Sequence, residues 1–314
     1  SAGAELWKCD AAGTPALVKN IYSGSSSSSP AYLTEALGSL FFAATTSAGN
    51  ELWRSDGSDA GTFLVKDIYP GTSSSNPSYL VSTGTFVLFR ATDATNGAEL
   101  WRTDGTEAGT TMVRDINPGS NSSNPLYLTN VNGTLFFQAA SAGSGTELWV
   151  SDGTSEGTVL LDIWTGTSSS SPANLINAGG VLYFTASRST GGNELWTSDG
   201  TLAGTVMVKD IYAGANGSYP ANLVGINGLL FFSAVDAAHG RELWRSDGTA
   251  AGTVMVADIC PGAGGSGPAN LVNVDGTLFF TADDGNGLAL WKSDGTPEGP
   301  VLGLDVCGGS GNPG

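Results

Sequence analysis

The phrase Glu-Leu-Trp-x-Ser-Asp-Gly-Thr returns along this 314-residue chain every 46 to 48 residues, marked by Trp7, Trp53, Trp101, Trp149, Trp196, Trp244 and Trp291. That recurrence leaves few architectures open. A period in the high forties belongs to β-propellers and other all-β arrays, in which each unit buries its apolar faces by stacking on its neighbours. It also restricts function. A residue present in every copy is framework before it is chemistry, so the loudest motif says how the chain is built.

One copy, read along residues 79–119, predicts four strands. Tyr79-Leu80-Val81 is a short strand ending at Thr83-Gly84. Phe86-Val87-Leu88-Phe89 is a second, whose unbroken apolar run suits burial on both faces. A polar loop at 93–97 leads to a third strand, Glu99 to Arg102. The third ends at Asp104-Gly105, which reads as a tight hairpin turn because both residues tolerate positive φ. Gly109 to Ile116 forms the fourth, and a Pro-Gly and Ser/Asn-rich stretch connects to the next copy.

Four short antiparallel strands in about 47 residues make a propeller blade. The expected fold is all-β: one β-propeller domain over 1–314, seven-bladed in plan, with a half-blade at 1–24 and then six full repeats. A six-bladed ring with a spare hairpin is the alternative, and an open solenoid comes third. The ends leave this open, because strands three and four occur seven times but strands one and two only six. Either the first blade is incomplete, or residues beyond Gly314 close the ring. The repeated tryptophans are expected to pack between blades. Asp67, Asp115, Asp162, Asp210, Asp258 and Asp305 are expected to accept N–H bonds from the loop after each fourth strand.

Charge narrows the partners. With 29 acidic and 12 basic residues the net charge is −17, which disfavours nucleic acid and anionic membrane surfaces. No apolar run is long enough to span a bilayer, so membrane insertion is not expected. Charged residues make up 13% of the chain and glycines number 46, as suits short strands and many turns. No charged n-region or apolar h-region precedes Glu5, so any signal peptide is expected to have been removed or never present. Few lysines and three Asn-x-Ser/Thr sequons (Asn121, Asn132, Asn216) point to an extracellular or cell-surface setting. Of three cysteines, Cys260 and Cys307 hold equivalent places in adjacent repeats, too far apart to bridge. Cys9 with Cys307 is the candidate disulfide, joining first and last units.

The repeats resemble the ELWxxDGT repeat family of predicted secreted or surface proteins of bacteria. The pattern stands as Glu51-Leu52-Trp53-Arg54-Ser55-Asp56-Gly57-Ser58, again from Glu99 to Thr106 and again from Glu242 to Thr249. The first copy departs with Cys9 for Ser and Asp10-Ala11-Ala12 for the Asp-Gly turn. The last has Ala289 for Glu and Pro300 for Thr. Terminal repeats of an array are commonly atypical. The resemblance implies a secreted location and carries no catalytic residues.

Candidate chemistry is sparse. His239, the single histidine, reads as a solvated loop residue, and zinc ligands are lacking. Most carboxylates belong to the repeated framework; Glu35, Glu107 and Glu156 lie near turns, and no catalytic residue is expected. No cofactor is required by the sequence. Calcium is the one candidate, through Asp93, Asp236, Asp283 and Asp284 in loops that place oxygen ligands around a glycine turn.

Two variable sets suggest a ligand. Tyr22, Tyr69, Trp164 and Tyr212 follow the fourth strand, and Tyr32, Tyr79 and Tyr127 follow the loop proline where later repeats carry Asn174, Asn222 and Asn270. Rings beside hydroxyls and amides stack on sugar faces and bond sugar hydroxyls, and repetition adds avidity. The alternative is that these rings cover gaps between blades. Arg90 stands out where other repeats carry Ala43, Gln138, Thr185, Ser233 or Thr281. The expected function is a non-catalytic, multivalent glycan-binding module with inter-blade pockets. A structural subunit of an extracellular assembly or adhesin, with self-assembly through unpaired edges, is the alternative; a polysaccharide-acting enzyme is third.

Overall fold

The computed structural model describes residues 3–296, 299 and 301–304. Among them every regular element is a β-strand. The chain divides into two compact units, Ser1–Leu160 and Leu161–Gly314.

The first unit opens with a two-stranded sheet, β1 (Leu6–Cys9) and β2 (Pro15–Lys19). Three four-stranded antiparallel sheets follow, each with its strands in chain order. The first holds β3 (Ala31–Ala36), β4 (Ser39–Thr46), β5 (Gly49–Ser55) and β6 (Phe63–Lys66). The second holds β7 (Ser78–Ser82), β8 (Val87–Asp93), β9 (Gly97–Thr103) and β10 (Thr111–Arg114). The third holds β11 (Leu126–Val131), β12 (Thr134–Ser141), β13 (Gly145–Ser151) and β14 (Val159–Leu161). The second unit repeats the plan three times. Its sheets are β15 (Ala173–Ala178), β16 (Val181–Arg188), β17 (Gly192–Ser198) and β18 (Val206–Lys209); β19 (Ala221–Ile226), β20 (Leu229–Asp236), β21 (Gly240–Ser246) and β22 (Val254–Ala257); and β23 (Ala269–Val274), β24 (Thr277–Asp283), β25 (Leu288–Ser293) and β26 (Val301–Leu304). These are six four-stranded blades of a β-propeller and an N-terminal half-blade.

The unbroken apolar run of each second strand has a direct cause. Phe41 and Phe42 are both fully buried because they point to opposite faces. Phe41 packs with Leu80, Val87, Phe89 and Trp101 of the next sheet. Phe42 packs with Leu6, Val18 and Ile21 of the half-blade. Each such ring contributes about 2 kcal/mol of burial energy. The repeated tryptophan sits opposite the second phenylalanine, as in the pairs Phe42–Trp53 and Phe89–Trp101. Its indole then covers the preceding sheet: Trp101 and Trp244 each lie in a core shared with the blade before them. Trp53, Trp101, Trp149, Trp196 and Trp244 are buried, whereas Trp7, with no second strand beside it, is 52% exposed.

The glutamate before Leu-Trp is the buried pin of each repeat. Glu51 accepts N–H bonds from Ile68 and Ser75 and the hydroxyl proton of Ser75. Glu5, Glu99, Glu194 and Glu242 repeat the arrangement with Ser28, Ser123, Ser218 and Ser266. The connection from each fourth strand to the next first strand is thereby tied back to the third strand. Ala289 lacks this carboxylate.

The Asp-Gly dipeptide does not make the expected tight hairpin. Seven residues, 104–110, join β9 to β10. Asp104 Oδ1 organises them by accepting the N–H and hydroxyl of Thr106, and the Thr106 hydroxyl in turn accepts the N–H of Gly109. Thr at the third position supplies the hydroxyl this wider loop needs, so the motif encodes a closed polar loop. At the end of the fourth strand, Asp67, Asp115 and Asp210 accept the N–H of Gly71, Gly119 and Gly214. Asp305 lies outside the described residues.

Basic residues are mostly spent on stitching. Lys8, Lys19, Arg54, Lys66, Arg102, Arg114, Lys209 and Arg245, eight of the chain's twelve, each donate to a main-chain carbonyl in the sheet that follows their own. A strongly acidic chain thus consumes most of its positive charge in its own framework.

Candidate functional site

The first strand of every full blade carries a bulge. In β7 the register slips between the Ser78–Arg90 and Val81–Leu88 pairs, and Tyr79 sits in the slip at φ 56°. Tyr32 and Tyr127 occupy the same place at φ 55°, and Asn174, Asn222 and Asn270 hold it at φ 54° to 55° in the second unit. Asparagine adopts this left-handed conformation readily; for a bulky side chain it is strained. In the asparagine blades the position satisfies itself, since Asn174 Nδ2 donates to Thr185 Oγ1 and Thr185 Oγ1 to Ala173 O. Asn222 with Ser233 and Asn270 with Thr281 do the same. The tyrosine blades close no such pair. Their rings stand out, with Tyr32 52%, Tyr79 41% and Tyr127 43% exposed.

β3 and β7 lie side by side, so Tyr32 and Tyr79 face one cleft of about 640 Å³, their ring centres 6.1 Å apart and tilted by 45°. Asn50, Ser74, Asn76, Thr45, Thr92 and Arg90 supply its polar wall. The wall is fixed from beneath. Asn50 N donates to Ser74 Oγ, Asn50 Nδ2 to Thr45 Oγ1, Asn76 N to Asn50 O and Thr92 N to Ser75 O. Glu51, by pinning Ser75, sets the height of Ser74 and Asn76. Arg90 enters from β8 and donates from Nη2 to Asn124 Oδ1 at 2.9 Å. Two rings, two amides, hydroxyls and a guanidinium around an open cleft can stack on a flat face and bond several hydroxyl or carboxylate oxygens.

The structure separates the two aromatic sets. Tyr22, Tyr69, Trp164 and Tyr212 are half-buried at the start of the crossing connections, and none of them lines the cleft. Sequence reading missed Asn50, Ser74, Asn76 and the positioning role of Glu51. The exchange of Tyr for Asn at one register was the available signal.

The acidic loops are self-contained. Asp93 accepts N–H bonds from Thr95 and Asn96, Asp283 from Gly285 and Gly287, and Asp284 from Asn286. Asp236 accepts from Ala238 and His239 and pairs with His239 Nδ1 at 2.8 Å, which draws the carboxyl below and the imidazole above their ordinary values. His239 is therefore tied to its own loop. Among the described residues no three His, Cys, Asp or Glu side chains gather as metal ligands. Cys9 is exposed; its proposed partner Cys307 lies outside the described residues.

No family model matches the chain, and no curated protein matches it. Solved structures do. A prolyl endopeptidase aligns at TM-score 0.53 and 11% identity, over 89% of this chain and 43% of that one. Prolyl oligopeptidase B from Galerina marginata, bound to a 35mer substrate, aligns at TM-score 0.50 and 13% identity, over 93% and 45%. The β-propeller domain of the Trilobed protease from Pyrococcus furiosus aligns at TM-score 0.46 and 11% identity, over 85% and 82%. This chain spans about half the length of the peptidase chains it matches. At such identity the likeness is one of fold.

Proposed function

We propose that this protein is an extracellular, non-catalytic recognition module that binds glycans through clefts built on its tyrosine-bearing bulges, the cleft of Tyr32 and Tyr79 being the principal site. One observation carries the reading: three tyrosines are held in a strained left-handed conformation, exposed, where asparagine serves the fold in three other blades. Strain kept where a relaxed residue is available marks a site used for something other than folding. The cleft's mix of ring faces, amides and hydroxyls matches the surface of a sugar, and Tyr127 on the neighbouring first strand offers a further weak contact for avidity. The resemblance to secreted and surface repeat proteins agrees with an extracellular location.

The test is a broad glycan array probed with the native protein, with calcium and then with EDTA. Selective binding that is lost in Tyr32→Ala and Tyr79→Ala, and kept in Trp164→Ala, supports the cleft; sensitivity to EDTA adds a metal. A blank array under both conditions refutes the reading. A second reading, a subunit of an extracellular assembly, rests on the exposed Trp7 within the two-stranded sheet. It predicts self-association that Trp7→Ala abolishes in sedimentation experiments.

A further inference from the structure

We propose that Arg90 makes the Tyr32–Tyr79 cleft selective for saccharides bearing a carboxylate, that is, for uronic-acid glycans. This rests on the glycan reading above and names the ligand class of that site.

Arg90 is not one of the stitching cations of this chain. Most of its lysines and arginines end on a main-chain carbonyl of the next sheet. Arg241 also ends on protein oxygens, donating from Nη1 to Tyr219 O and to both oxygens of Ser233. Arg90 instead meets a single side-chain amide, Asn124 Oδ1, and no carboxylate pairs with it among the described residues. A guanidinium carries five N–H donors in a planar fork, so the Asn124 contact orients the group and leaves most of its donors for a ligand.

Its register places it beside the strained ring. Arg90 pairs with Ser78 immediately before Tyr79, where the equivalent residues are Ala43 in the first full blade and Gln138 in the third. Three of the other blades carry Thr or Ser there and use the hydroxyl internally. Only the blade of Tyr79 carries a cationic residue at this register position, and there it lines the cleft together with Asn50 and Asn76. A carboxylate on a pyranose ring presents two coplanar oxygens that match the guanidinium fork, while the ring face lies against the tyrosines. With a net charge of −17, the protein repels anions at a distance. Acceptance of an acidic sugar must then come from contact with a fixed cation, which Arg90 supplies.

The experiment is calorimetric titration of the native protein with short oligogalacturonate, oligoglucuronate and oligomannuronate, each beside its carboxyl-reduced neutral counterpart. At least one acidic oligomer should bind about tenfold or more tighter than its neutral partner, the ratio expected for a charge-assisted hydrogen-bond pair. Arg90→Gln should erase that ratio, so that acidic and neutral oligomers bind the variant alike, and Arg90→Lys, which keeps charge but loses the fork, should fall between. Equal binding of acidic and neutral forms, or a preference that survives Arg90→Gln, overturns the inference and leaves the glycan reading standing. Absence of binding to both members of every pair overturns both.

Discussion

Ser75 Oγ lies 2.6 Å from Glu51 Oε2, joining two residues 24 positions apart in the chain. The bond ties the segment entering the second full blade to the third strand of the first. Because Ser75 N also bonds Glu51 Oε1 and Ile68 N bonds Oε2, one carboxylate satisfies three donors of a buried turn. Replacing it by Gln leaves Nε2 facing an N–H, so a donor meets a donor. Glu51→Gln is expected to cost about 2 to 4 kcal/mol in chemical denaturation. Ser75→Ala removes one bond and leaves an oxygen with its other partners, for about 1 kcal/mol. Equal effects of the two variants would deny Glu51 its pinning role.

The same glutamates give the stability a sign with pH. Burial pushes Glu51, Glu99, Glu194 and Glu242 above the ordinary 4.5, against the lowering effect of their serine and main-chain bonds. A carboxyl raised in the folded state takes up its proton before the unfolded chain does. Stability therefore rises as pH falls from neutrality through the folded values toward 4.5. The exposed loop aspartates work the other way. Thr or Ser hydroxyls and N–H groups hold Asp56, Asp104, Asp199, Asp247 and Asp294 below 3.8, and their contribution is lost as pH falls below that. Thermal unfolding should thus be highest near pH 4, and Glu51→Gln should flatten the rise from pH 7. A melting temperature that falls steadily from pH 7 to 4.5 would contradict this account.

His239 offers a clean probe, because it is the chain's single histidine. Asp236 hydrogen-bonds its Nδ1 and raises its pKa above 6.5. Proton NMR should show one imidazole titrating above that value, returning toward it in Asp236→Asn. Since the folded value is the raised one, the pair stabilises the fold below the unfolded pKa, and that contribution fades as pH rises through the folded value. An unshifted titration would mean that the 236–240 turn does not hold the ring.

The blade pattern was legible because Leu-Phe-Phe and Leu-Trp repeat at fixed distance, and burial on two faces needs no other code. Strand boundaries followed to within a few residues. The Asp-Gly loop misled because the dipeptide alone resembles a hairpin turn, whereas the Thr hydroxyl two residues after the Asp settles a longer loop. The glutamate pin was invisible for another reason: its partners, such as Ile68 and Ser75, are 17 and 24 residues away. The two aromatic sets looked alike in sequence, and only the bulge at Tyr79 separates a half-buried crossing residue from a ring in an open cleft.

That bulge yields the sharpest separation of folding from function. At φ 56° Tyr79 is strained, and the same place is held by Asn222 at φ 55°. Tyr79→Asn should therefore leave stability unchanged or raise it by up to about 1 kcal/mol, because the strain is relieved and the exposed ring contributes little burial. Tyr79→Val should destabilise, since a β-branched side chain tolerates positive φ worst. If the cleft is the binding site, the Asn variant keeps the fold and loses the ligand. If the tyrosines instead cover a seam between blades, the Asn variant lowers the melting temperature. Differential scanning calorimetry of Tyr32→Asn, Tyr79→Asn and Tyr127→Asn, read beside the glycan array, decides between these outcomes. Stable variants that no longer bind assign the tyrosines to recognition, and destabilised variants assign them to packing.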